Sequence, residues 1–274
     1  MSYIYDKDLE FLKKCRNDEL EGLFQILAFD PKNGKKRLTT SLLKSEEYKK
    51  YGDDYTKYWQ TIAGELQLYG GNTIVNIIRG NKGVSYRQIL EHVAGRLKLP
   101  LIGFIPTPEL ENAICEKLML DVFSKMKEKD KEEFLKELID EDESLKEIIN
   151  SYNEIPWGKI SVTVIRQVFK AGGMVTYRAT LIFANMIWRQ LFGRGLTFVA
   201  NNTIARILGG FLSGPVAIAL NAWIIADLTG PALRVLIPAV VLISALRLKY
   251  EIDNDVYDDS DDYLDDTDDD DLED

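Results

Sequence analysis

Residues 207–226 read ILGGFLSGPVAIALNAWIIA, and residues 235–249 read VLIPAVVLISALRLK. The first run is 20 residues without a charge. The second holds twelve uncharged residues, Val235–Leu246, before Arg247 and Lys249 close it. About 20 helical residues match the roughly 30 Å hydrocarbon core of a bilayer. Asp227–Pro231 between the runs has turn composition, so the pair reads as a helical hairpin. Small residues at Ala205, Gly209, Ser213 and Ala217 recur at every fourth position, a spacing that lets another helix approach closely. Against insertion stand Asn221 inside the first run, Gly214-Pro215 and Pro238 within the two runs, and the shortness of the second. Three environments fit: a membrane-associated hairpin or interfacial face, a soluble helical core, or a protein–protein interface.

Working outward, the hairpin belongs to a larger block, residues 159–249, that is both apolar and basic. It holds ten cations, Lys159, Arg166, Lys170, Arg178, Arg189, Arg194, Arg206, Arg234, Arg247 and Lys249, and one acid, Asp227. Its net charge is +9, whereas residues 1–158 net −4. Residues 251–274 hold 15 of the 44 acids and no Lys or Arg. Such a tail buries too little apolar area to offset its ordering entropy, so its composition predicts disorder. Opposite charge within one chain also makes the basic block a possible docking surface for the tail. Arg166, Lys170 and Arg178 fall at spacings of four and eight, near one helical stripe. With Gly209, Gly214, Pro215, Arg234, Pro238 and Arg247 they are the candidates for a surface that meets anionic lipid or a membrane-protein client.

The first half is a series of amphipathic helices. Asp6 is placed to cap one with Leu9, Phe11, Leu12 and Cys15 inside, and Asn17 or Asp18 starts the next. Gly70-Gly71-Asn72 and Gly80–Gly83 read as breaks, with a helix over Ser85–Leu99 after them. Thr107 reads as the cap of a helix with Pro108 at its first position. Asp130 and Glu133 have capping-box spacing, and Ile155–Gly158 reads as a hinge. The expected architecture is all-α: a helical bundle over 1–154, a Gly/Pro-interrupted apolar helical region over 155–250, and a disordered acidic tail over 251–274.

Chemistry is sparsely signalled. His92 is the single histidine, and Cys15 and Cys115 sit among apolar neighbours as packed thiols. The spacings supply no His/Cys metal site, no phosphate loop and no nucleophile elbow. No metal or cofactor is expected, nor nucleic acid, because the cations lie among aliphatic runs instead of in a compact cluster. The polar constellation that could form a binding site is Glu65, Gln67, Asn72, Asn76, Arg79, Tyr86, Arg87, Glu91 and His92. Arg87 and Glu91 are one helical turn apart, and Glu65 is placed to meet Arg79 or Arg87. The N-terminal residues lack a signal-peptide pattern, so a cytoplasmic protein, peripheral at the inner membrane, is expected.

Three blocks carry a family resemblance. Residues 59–99, WQTIAGELQLYGGNTIVNIIRGNKGVSYRQILEHVAGRLKL, resemble the central block of the YaaW family of uncharacterised bacterial proteins. KDLEFLKKCRNDELEGL at 7–23 resembles its paired N-terminal helices, and GPVAIALNAW with GPALRVLIPAVVLISALR resembles its glycine-proline apolar segments. The family is weakly grouped with ubiquinol-cytochrome c chaperones, so the resemblance implies a chaperone-like role at most, and no activity. The function expected from all of this is non-enzymatic: association with a membrane or membrane-protein partner through 159–249, chaperone-like or as a membrane effector restrained by the tail. The alternative is a soluble helical enzyme or ligand-binding module built on the 65–92 cluster. Oligomeric state is left open.

Overall fold

Asp6 opens the first ordered segment. One of its carboxylate oxygens accepts the Asp8 N–H at 3.0 Å, and the other accepts the Tyr86 N–H at 2.6 Å. It thereby starts a tight 3-10 segment, Lys7–Lys14, that buries Leu9, Phe11 and Leu12. The computed structural model describes residues 3–30, 34–37, 40–74, 83–101, 103–129, 131, 157–199 and 233–261. Helix α1 (Asn17–Ala28) follows, with the Glu19 carboxylate reaching back to the Arg16 N–H at 2.8 Å. Helix α2 (Glu46–Tyr51) is capped by the Ser45 hydroxyl and stopped by Gly52.

Helix α3 (Trp59–Ile74) does not break where the sequence predicts. Gly70-Gly71-Asn72 lies inside it. A Cβ at Gly70 would stand 2.6 Å from Ile89 Cγ1 and 2.9 Å from Val84 Cγ2. The glycine therefore lets α3 approach helix α4 (Tyr86–Arg96), which Ser85 and Gln88 start with a capping box. Helix α5 (Thr107–Ser124) begins at Thr107 instead of being capped by it. The Thr107 hydroxyl donates to Asp8 at 2.9 Å and ties α5 to the N-terminal segment.

The basic block also divides differently from its pattern. Helix α6 (Trp157–Ala171) and helix α7 (Gly173–Phe192) are separate, joined at Gly172 and Gly173 with φ of 70° and 52°. Both angles lie in the left-handed region, which glycine enters without a Cβ clash. The predicted stripe is cut at this corner: Arg166 and Lys170 share α6, and Arg178 stands half-buried on α7. Helix α8 (Leu233–Asp261) contains Pro238 without ending there. A proline removes one donor from the helical ladder, yet here Pro238 is buried and the helix runs on through it.

Helix α8 is the centre of the molecule. It packs most extensively on α7, and also on α1, α5, α4, α3 and the 3-10 segment. Val235, Leu236, Val240, Val241, Ile243 and Ala245 are fully buried. Each aliphatic side chain so buried contributes about 1.5–3 kcal/mol before entropy is counted. The second half of the predicted hairpin is thus a core helix, and the first half lies outside the described residues. One continuous apolar cluster joins α8 to the helices of the first half. The helix also continues to Asp261, into the segment whose composition predicts disorder. The described structure is all-α, with a single isolated bridge, Phe29 with Lys36, as its only β-type pairing. Among the described residues, no helix is long and apolar enough to cross a membrane.

Candidate functional site

Among the described residues, the polar constellation around residues 65–92 does not converge. Glu65 does not pair with Arg87. It accepts the Ser41 N–H at 3.1 Å and the Ser41 hydroxyl at 2.8 Å, fixing the connection before α2. Gln67 exchanges two bonds with the Ile4 backbone, at 3.0 and 2.8 Å. Arg87 does pair with Glu91, at 2.8 Å, and also donates to the Ile105 carbonyl and lies 5.0 Å from the Phe104 ring. His92 is half-buried, and burial together with Arg96 lowers its pKa. Asn76, Arg79 and the side chain of Asn72 lie outside the described residues. Among the described residues, no group of three metal-ligating side chains is gathered.

Tyr86 belongs to another, buried constellation. Its hydroxyl donates to Glu111 at 2.7 Å. The Arg247 guanidinium donates to both Glu111 oxygens, at 2.7 and 3.2 Å, and to the Asp8 carbonyl at 2.6 Å. Its outer face lies 4.6 Å from the Phe11 ring centroid. Arg247 is 8% exposed, Glu111 1% and Tyr86 not at all. The sequence places Arg247 on an outward surface. It turns inward because α5 presents a carboxylate on its buried face, and a two-pronged guanidinium matches that geometry. Burial pushes the Glu111 carboxyl up, against the pull of Arg247. Burial works against the charge of Arg247 too, but Glu111 more than offsets it and the guanidinium stays charged. Burial also raises the Tyr86 phenol.

A second ion pair lies further along α8. Lys249 contacts buried Glu19 at 3.0 Å and Asp253 at 3.1 Å, with Arg16 on the same Glu19 carboxylate at 3.3 Å. Both thiols sit near these networks, unpaired, and burial pushes Cys15 and Cys115 up to about 12. Such thiols are inert at neutral pH. Asp8, Glu19 and Glu111 were absent from the sequence-derived candidates. Their signal was position: Glu111 falls in line with Cys115, Leu118 and Val122, and Glu19 with Leu23 and Ile26, on apolar stripes where a lone acid needs a partner.

Two cations of the basic block face outward on α6. Val162, Arg166 and Lys170 recur every four residues and are exposed, and Met174 is exposed just beyond the Gly172 corner. The Arg166 side chain is 66% exposed, with Glu116 of α5 at 3.8 Å. Burial raises the Glu116 carboxyl, and Arg166 opposes this. Residues 157–199 contain Lys159, Arg166, Lys170, Arg178, Arg189 and Arg194 and no acid. Of the other surface candidates, Arg234 is half-buried in the first turn of α8 and Pro238 is buried, while Gly209, Gly214 and Pro215 lie outside the described residues.

The segment that supplies Asp8 and Glu19 matches a family model. Residues 3–38 fit the domain of unknown function DUF3944. Over nearly the whole chain, a UPF0174 protein of Helicobacter pylori strain J99 is 39% identical across 250 residues, which is 91% of this chain and 94% of that protein. The chain belongs to the UPF0174 family. Another UPF0174 member, YaaW of Escherichia coli K12, is 32% identical over 253 residues, covering 90% of this chain and 96% of its own. A UPF0174 protein of Helicobacter pylori strain 26695 is 35% identical over 213 residues, or 77% of this chain and 98% of that one. No solved structure matches.

Proposed function

We propose that this UPF0174 protein is a non-enzymatic helical protein that lies peripherally on an anionic membrane surface through the outward face of α6 and the start of α7. The observation that carries this reading is the exposed stripe Val162, Arg166, Lys170, continued by Met174, on a segment without a single acid. A cation near an anionic bilayer surface contributes on the order of 1 kcal/mol. Apolar side chains between the cations add shallow burial at headgroup level. The packing of Leu233–Leu248 inside the core favours lying on the surface over inserting, because insertion of α8 would first require taking the core apart.

The reading is tested by flotation with vesicles of phosphatidylcholine alone and of phosphatidylcholine with phosphatidylglycerol, at low salt. Binding only to the anionic vesicles, lost in Arg166→Glu/Lys170→Glu, is the expected result. Equal absence from both vesicle types would reject lipid as the partner. Binding to native membranes that disappears when those membranes are treated with protease would instead assign the face to a membrane-protein client.

A further inference from the structure

We infer that residues 262–274 dock on the outward face of α6 and the first turn of α7, so that this acidic segment and an anionic surface compete for the same cations. The inference rests on the reading above for what is competed against, but not for the contact itself.

Geometry brings the two regions together. Helices α7 and α8 run antiparallel. A Cβ on Gly22 would touch both Leu242 of α8 and Leu196, which follows the end of α7, whereas Tyr177 near the start of α7 lies within the fields of Lys249 and Asp253. From Asp253, α8 continues eight residues to Asp261, about 12 Å at 1.5 Å per residue. From Tyr177 back to Gly173 is only about 6 Å. The end of α8 therefore overshoots the Gly172 corner, where Lys170 and Met174 are exposed.

Charge and reach then favour contact. Nine of the thirteen residues from Asp262 to Asp274 are acids, whereas residues 157–199 contain none. Thirteen residues reach at most about 45 Å, enough to cover α6 from its corner inward. A tether this short gives an effective concentration on the order of millimolar. The helix that delivers the segment carries Asp255, Asp258, Asp259 and Asp261 at its C-terminal end, where the helix dipole is itself negative. Cations relieve such repulsion, and the outward face of α6 holds Arg166 and Lys170.

The contact is read by zero-length carbodiimide cross-linking of the full chain, with peptides identified by mass spectrometry. Cross-links from Lys170 to acids of 262–274 at low salt, lost at high salt and in Lys170→Arg, are expected. Their absence at low salt would overturn the inference, whatever the vesicle result. The competition is read by flotation of a chain ending at Asp261, whose helicity is first checked by circular dichroism. It should bind anionic vesicles at least about tenfold more tightly than the full chain, with the gap closing in Arg166→Glu/Lys170→Glu. Equal affinity of the two chains would overturn the competition while leaving the membrane reading intact. Cross-links without vesicle binding by either chain would uphold the docking and reject the membrane reading.

Discussion

Helices α6 and α8 come from the same basic, apolar block, yet they use their cations in opposite directions. Arg166 and Lys170 of α6 face solvent, whereas Arg247 and Lys249 of α8 face acids held by α5 and α1. Local composition does not separate the two, since each sets its cations among aliphatic residues. The difference lies elsewhere in the chain. Glu111 and Glu19 stand on buried helix faces within reach of α8, while Arg166 of α6 stands 3.8 Å from Glu116. A cation in an apolar run turns inward where a distant carboxylate waits for it.

The largest effect expected from breaking this contrast is at Arg247. Arg247→Ala leaves Glu111 buried without its counter-charge and should cost about 3–5 kcal/mol in urea unfolding. A triple variant, Tyr86→Phe/Glu111→Leu/Arg247→Met, removes the whole polar group and should lie closer to the parent than the single variant does. If the triple variant is the less stable of the two, the network contributes beyond cancelling its own burial. Next comes Lys249→Ala, expected to cost about 1.5 kcal/mol, because Arg16 remains on Glu19.

Alkaline pH gives a third and gentler test. Tyr86 is held protonated by burial in the folded chain, whereas in the unfolded chain it titrates near its ordinary value of 10.0. Above about pH 10 the unfolded state gives up a proton that the folded state keeps, so stability falls as pH rises. One such group sets a slope of at most about 1.4 kcal/mol per pH unit. Unfolding free energies measured at about pH 9 and about pH 11 should differ less in Tyr86→Phe than in the parent. The smallest effect belongs to the outward face: Arg166→Ala and Lys170→Ala should each change stability by less than about 0.5 kcal/mol. A larger loss would mean that α6 uses its cations structurally, as α8 does.

Much of the helical framework is legible in the sequence because its signals are local. Asp6 caps the first segment, Ser85 starts α4, and Pro108 sits in the first turn of α5, each determined by residues within one turn. What is not legible depends on neighbours distant along the chain. Gly70-Gly71 reads as a break, but its role is to admit Ile89 and Val84. Pro238 reads as an interruption, but the core around it keeps the helix intact. Arg247 reads as a surface cation because nothing near it in sequence names Glu111, 136 residues earlier. The scatter of Glu65, Gln67 and Arg87 into separate contacts is equally invisible to pattern, since each bonds a group from a different segment.

The bond from Arg247 to the Asp8 carbonyl spans 239 positions. Its consequence concerns the order of synthesis. A ribosome making this chain releases Glu111 long before Arg247, which neutralises it. Until α8 emerges, the first half has its apolar faces ready but no central helix to close on, and two acids set among them. Such a chain folds late, and contacts of this separation make the final step slow. Nascent chains stalled before residue 247 should therefore be protease-sensitive throughout, and protection should arrive all at once when α8 clears the exit tunnel.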